Sequence, residues 1–234
     1  MTATHSQAHD SGVAVHDRSA LIIGDASQLP RVGVLAMQGA FAAHVAMLQR
    51  VGADAFEVRT AAELERCDGI VLPGGESTAI RKALDRGGLL EPLRAALADG
   101  LPVFGTCAGM IVLADTEPDG APPCFALLDI DVERNGFGRQ VHSAEVPVEL
   151  TGDTADDATE TMRGVFIRAP RITRVGTGAT VVGRAAADAA PDGDVPPGEA
   201  VVVLQDAMLA ASFHPELTDD TTLHRRFLGI VRAR

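Results

Sequence analysis

Leu101-Pro102-Val103-Phe104-Gly105-Thr106-Cys107-Ala108-Gly109 reads as a short buried strand that runs into a glycine-flanked cysteine and then an apolar helix. Gly-x-Cys-x-Gly is the thiol counterpart of the nucleophile elbow, a tight strand-to-helix turn that lifts one side chain above a sheet. The helix that follows favours the thiolate over the thiol, and the N–H of Ala108 points to where an oxyanion would form. Taken alone, the pentapeptide fits a buried cysteine in a strand-to-helix turn as well as it fits a nucleophile.

Outward from this turn the same pattern repeats. Val32–Met37 reads as a strand, and Phe41, Val45 and Leu48 recur at helical spacing until Gly52. Ala55–Val58 is a second strand, and Thr60 with Glu63 forms a capping box for a short helix. Gly69–Leu72 is a third strand. Ser77 is placed to cap a helix carrying Ile80 and Leu84 that stops at Gly87-Gly88, and another helix covers Leu89–Asp99. The second half is richer in strands: Leu127–Glu133, Val141–Leu150, Val165–Arg168, Thr180–Gly183, Ala200–Leu204 and Met208–Ser212, closed by a helix over Asp220–Val231. Alternation of this kind predicts an α/β three-layer sandwich with a mostly parallel central sheet and helices on both faces. Residues 151–160 and 185–199 read as surface loops.

Composition sets the bounds. The chain has 234 residues, enough for one domain plus a tail, and a net charge of −12 from 20 basic and 32 acidic residues. No basic cluster points to nucleic acid. No apolar run approaches the length that spans a bilayer. The three cysteines, Cys67, Cys107 and Cys124, do not match a zinc site, and reduced thiols in a cytoplasmic protein are expected. Cys67 and Cys124 read as packing residues. Residues 1–30 carry His5, His9 and His16 with few apolar residues, and read as a disordered extension rather than a secretory signal. The domain proper is expected over 31–234.

A thiol nucleophile needs a base. In Ser212-Phe213-His214-Pro215-Glu216, two residues apart in an extended segment point the same way, so Glu216 can hold the His214 ring. His44, His142 and His224 read as packing or surface histidines. Pro73-Gly74-Gly75-Glu76-Ser77-Thr78 follows a strand and offers backbone N–H groups to an anion or carbonyl oxygen. Arg134 and Arg168 stand near strand ends, where an arginine grips a carboxylate or makes a surface ion pair.

Together these segments resemble the class I glutamine amidotransferases, and among them the glutaminase subunit of the two-component pyridoxal 5′-phosphate synthase. The likeness rests on Gly33–Gly39, Leu72–Thr78, Phe104–Gly109, Val132–Asn135 with Phe137-Gly138-Arg139-Gln140, Gly164–Pro170 and Ser212–Leu217, in the family's order over residues 31–232. The resemblance implies a flavodoxin-like fold and hydrolysis of L-glutamine to glutamate and ammonia, with no cofactor and no metal. It implies Cys107 as nucleophile, His214 as proton shuttle and Glu216 as its orienting partner. It also implies an oxyanion hole from Gly75 and Ala108, and glutamine binding by Gly75, Glu76, Ser77, Arg134, Ile167 and Arg168. Gln38 falls where the family meets its synthase partner, in an assembly of twelve plus twelve subunits. Ala43 and Gly136 depart from the family pattern, which commonly has glutamate and serine there. The alternatives are an amidotransferase for a different acceptor, or a non-catalytic regulatory module of the same fold.

Overall fold

The computed structural model describes Met1 and residues 29–116, 123–137, 144–152, 159–187 and 195–234. The expectations for the N-terminal extension, for His142 and for Gly138-Arg139-Gln140 lie outside the described residues, as do those for most of the acidic stretches 153–158 and 188–194.

The first half alternates as the hydrophobic pattern dictates: β1 (Arg31–Leu35), α1 (Phe41–Arg50), β2 (Asp54–Val58), α2 (Ala61–Leu64), β3 (Gly69–Leu72), α3 (Ser77–Arg86), α4 (Leu90–Ala98), β4 (Val103–Thr106) and α5 (Ala108–Leu113). The second half runs β5 (Ala114–Thr116), β6 (Leu128–Glu133), β7 (Ala144–Leu150), β8 (Glu160–Phe166), β9 (Arg171–Val175), β10 (Thr180–Ala185), β11 (Ala200–Gln205), β12 (Met208–Ala211) and α6 (Thr222–Arg232).

Nine strands form the main sheet, in the order β2-β1-β3-β4-β12-β11-β10-β7-β8. Its ladders are parallel from β2 to β12 and antiparallel from β12 to β8. The sheet is thus mixed, with the parallel half holding the strands that alternate with helices. The remaining strands, β5, β6 and β9, make a separate small sheet.

Three strand expectations need correction. β5 and β9 were not foreseen, and β8 begins at Glu160 instead of Val165. Glu160–Gly164 alternates exposed and buried residues along an edge strand, and its polar positions read as loop until its full pairing with β7 is seen. β9 likewise buries only Ile172.

The period of two sorts the apolar strands into two cores. Val32, Val34, Val71, Phe104 and Leu209 pack towards α1 and α6, with Leu48, Leu223 and Phe227. Ile70, Leu72, Val103 and Ala210 face the other way, towards Leu84, Leu93 and Leu113 of α3, α4 and α5. From β1 the chain builds outwards first to β2 and then to β3. The carboxyl ends of β1, β3, β4 and β12 therefore share one edge next to a topological switch point, the usual ligand position in such sheets.

Candidate active site

Cys107 stands at the end of β4 with φ +50° and ψ −109°, a conformation that costs a side-chain-bearing residue about 1–3 kcal/mol. Its backbone N–H donates to the carbonyl of Ala211 at 2.8 Å, fixing the elbow to β12. The glycines that flank it are steric necessities. A methyl group on Gly109 would overlap the carbonyl of Leu72, and one on Gly105 would meet the backbone of Gly109. Only with both absent does α5 lie directly on β3 and β4. Ala108 opens α5, so its N–H is among the donors that a helix leaves without an internal partner.

The base comes from the segment after β12. His214 Nδ1 lies 2.8 Å from Glu216 Oε1, and the Glu216 side chain is fully buried. The expected pairing is present, but the expected extended geometry is not. Pro215–Leu217 forms a 3-10 turn with Pro215 at its start, and this turn brings Glu216 back under the ring. The backbone N–H of His214 donates to Val165 O at 2.9 Å, so the outermost strand of the antiparallel half returns to clasp the histidine. Burial works against the His214 cation, but the Cys107 sulfur and the Glu216 carboxylate outweigh it and push the pKa up to about 10. Burial would likewise raise the Glu216 carboxyl; His214 and His44 reverse this and hold it well below the ordinary carboxylate range.

Cys107 and His214 open into a cavity of about 340 Å³. Its wall holds every residue expected to bind glutamine: Gly75, Glu76, Ser77, Arg134, Ile167 and Arg168. Ile111 and Asn135 line it as well; Asn135 lies in a stretch that carries the family likeness, while nothing in its sequence context marks Ile111. Cys107, Asn135 and Arg168 are three of the five described non-glycine residues with positive φ, so backbone strain concentrates on this wall.

The loop after β3 is held in place by its own side chains. Glu76, rather than Ser77, caps α3: its carboxylate accepts from the N–H groups of Thr78 and Ala79, both at 3.0 Å. Ser77 is buried with its Oγ lacking a hydrogen-bond partner among the described residues, a hydroxyl left over for whatever fills the cavity. Arg134 reaches the Glu76 carboxylate at 3.1 Å. Gln38 donates from Nε2 to the Glu76 carbonyl at 2.7 Å, so the segment after β1 props the same loop. Gly74 packs so closely on His214 that a methyl group there would overlap the ring.

The other cysteines match their expected packing roles. Cys124 is buried, and burial pushes the Cys67 thiol up to about 11, where it is inert. Two histidines, His44 and His224, are buried, as a packing role implies, but also make polar contacts that their sequence context does not announce. His44 Nε2 lies 3.3 Å from Glu216 Oε2, and His44 Nδ1 lies 3.0 Å from His224 Nε2. They lie on α1 and α6, and no local spacing connects them to each other or to the triad. Among the described residues, no helix is long and apolar enough to cross a membrane.

Known proteins resemble this chain over most of its length. Residues 34–232 match the SNO glutamine amidotransferase family. The chain is 52% identical over 206 residues to pyridoxal 5′-phosphate synthase subunit PdxT of Parafrankia sp. (strain EAN1pec), covering 87% of this chain and 94% of the relative. It is 46% identical over 205 residues to the protein of the same name from Corynebacterium jeikeium (strain K411), covering 87% and 97%. A crystal structure of a glutamine amidotransferase superposes with a TM-score of 0.73 at 44% identity, over 86% of this chain and 98% of that one. The structure of PurLQS from Thermotoga maritima, at 17% identity and a TM-score of 0.61, shares the fold. The chain belongs to the SNO glutamine amidotransferase family.

Proposed function

We propose that this protein hydrolyses L-glutamine to L-glutamate and ammonia through a Cys107 thioester, and delivers the ammonia to a synthase subunit that makes pyridoxal 5′-phosphate. The observation that carries the reading is that Cys107 and His214 share one cavity walled by Gly75–Ser77, Arg134 and Ile167-Arg168, with Glu216 buried behind the His214 ring. The similarity to PdxT proteins over most of both chains supports the synthase partner and disfavours a different acceptor or a regulatory module.

Each step uses a group already placed. Cys107 Sγ attacks the side-chain amide carbon, and the carbonyl oxygen takes the negative charge, facing the N–H groups of Gly75 and Ala108. The C–N bond then breaks. Ammonia leaves with a proton from His214, whose raised pKa keeps it protonated at neutral pH. A water molecule, deprotonated by His214, attacks the thioester. Glutamate departs and Cys107 is restored. Glu216 holds His214 Nδ1 throughout. Arg134 and Arg168 receive the substrate carboxylate, while Glu76 and the free Ser77 hydroxyl meet its amino and amide ends.

In this reading Gln38 lies at the synthase interface, and docking there bears directly on the Glu76 loop that it props. The assembly is twelve synthase and twelve glutaminase subunits, in the cytoplasm. The catalytic unit is residues 31–234, with 1–30 an appended extension; the family match beginning at residue 34 supports that division. The test is ammonia release from glutamine with and without the synthase subunit of the same genome. Activity that rises strongly on mixing is expected; none in either case would overturn the assignment.

A further inference from the structure

Glu216 uses one oxygen for His214 and has a second to place. Oε2 is buried, and no hydrogen bond of good geometry reaches it from the described residues. The polar group that faces it is His44 Nε2 at 3.3 Å, a charge–dipole contact. The same nitrogen lies 3.3 Å from Thr106 Oγ1. On the far side of the ring, His44 Nδ1 is 3.0 Å from His224 Nε2. Phe104 sets its ring edge-on to both imidazoles, at centroid distances of 6.3 and 5.7 Å. His44 and His224 are both 0% exposed, so water does not complete their hydrogen bonding from outside.

The proton positions follow from counting donors. A 3.0 Å nitrogen–nitrogen contact holds one proton. If His44 Nδ1 donated it, a neutral His44 would turn an Nε2 lone pair, with only the Thr106 hydroxyl to donate to it, towards the Glu216 anion. A neutral His224 would then carry its proton on Nδ1, which has no partner among the described residues. A buried N–H without an acceptor and a lone pair against a carboxylate are both costly. The reverse arrangement removes both penalties. His224 donates from Nε2, His44 accepts at Nδ1, and the His44 proton sits on Nε2 facing Glu216. Burial, then the neighbouring His44, pushes the His224 pKa down to about 3, so that ring stays neutral.

We infer that His44 is a positioning residue of the glutaminase reaction: its Nε2–H holds the second oxygen of Glu216, and His224 locks His44 in the tautomer that can do so. The inference rests on the reading of Cys107, His214 and Glu216 as the catalytic set. Neither histidine touches the cavity. Their effect is to keep a buried carboxylate from rotating, and so to keep the His214 ring aligned with Cys107.

The test measures kcat and KM for glutamine in the full-length protein mixed with its synthase subunit, with thermal melts confirming folding. His44→Phe should lower kcat about 10- to 100-fold with KM within about threefold. His44→Gln presents an amide donor near the Nε2 position and should recover most of that loss. His224→Phe should slow the parent protein, but should do little in the His44→Gln background, because an amide needs no tautomer lock. In a Glu216→Gln background, His44→Phe should add little. The inference is overturned if folded His44→Phe turns over within twofold of the parent, or if its loss multiplies with that of Glu216→Gln. Should His44→Phe fail to fold, a His224→Phe loss equal in the parent and His44→Gln backgrounds overturns it. A parent that releases no ammonia with the synthase refutes the glutaminase reading instead.

Discussion

Arg134 reaches the carboxylate of Glu76 at 3.1 Å across the mouth of the cavity, while the same carboxylate caps α3 through Thr78 and Ala79. One acidic group thus ties a strand-end arginine to a helix start. Because the pair is partly exposed, its own energy is small, about 0–1 kcal/mol. Its importance is geometric, since it sets where the guanidinium stands.

Arg134→Ala is therefore expected to act on binding more than on folding. KM for glutamine should rise by about tenfold or more, as for loss of a charge-assisted hydrogen bond, while the melting temperature barely moves. Steady-state kinetics beside a thermal melt checks this. Glu76→Ala should do both, because it also removes a helix cap contributing about 1 kcal/mol.

Cys107→Ala should lose turnover by several orders of magnitude and still bind glutamine, measured by calorimetry. Glu216→Gln should lose less, because the nucleophile remains. Equal losses would give Glu216 a structural role beyond orienting His214.

The pKa of His214, raised from an ordinary 6.5 to about 10, makes stability depend on pH. A raised value means that the folded state holds its proton more tightly than the unfolded state. The stabilisation is fully present below about pH 6.5 and is lost as pH climbs through about 10. Urea midpoints of the parent and of His214→Gln should thus differ most at pH 6 and converge by pH 10. A gap that stays constant over this range would show that the ring is not charged in the folded protein.

In an exposed helix, exchanging glycine for alanine stabilises. At Gly109 the sign reverses, because the added methyl meets the Leu72 carbonyl and backbone cannot give way as a side-chain tip does. Gly109→Ala should cost about 1–3 kcal/mol by overpacking and lift α5 off the sheet, lowering the melting temperature and activity together.

The sheet's parallel half was legible because its strands are continuously apolar and punctuated by glycine. Its edges were not. Glu160–Gly164 and Arg171–Val175 carry too many polar side chains to declare themselves without their partners. The triad was legible because His214 and Glu216 are near neighbours and Cys107 sits in a recognisable turn, although the turn at Pro215 replaces the extended geometry expected. His44 and His224 read as packing or surface residues because nothing within either helix distinguishes a histidine that faces a polar partner from one that fills space. Glu76 was missed as a cap because serine, its neighbour, is the commoner residue in that role.

The strand that carries the chain to His214 enters the sheet between β4 and β11, next to the turn that holds Cys107. The sulfur and its base are separated by about a hundred residues of sequence, and this late insertion is what brings them together. On the ribosome, a growing chain can pair β1 to β4 before the histidine has been synthesised, but the cysteine turn gains its anchor on Ala211 only with β12. A chain that stops short of β12 therefore lacks the base, its carboxylate partner and the anchor of the cysteine turn together.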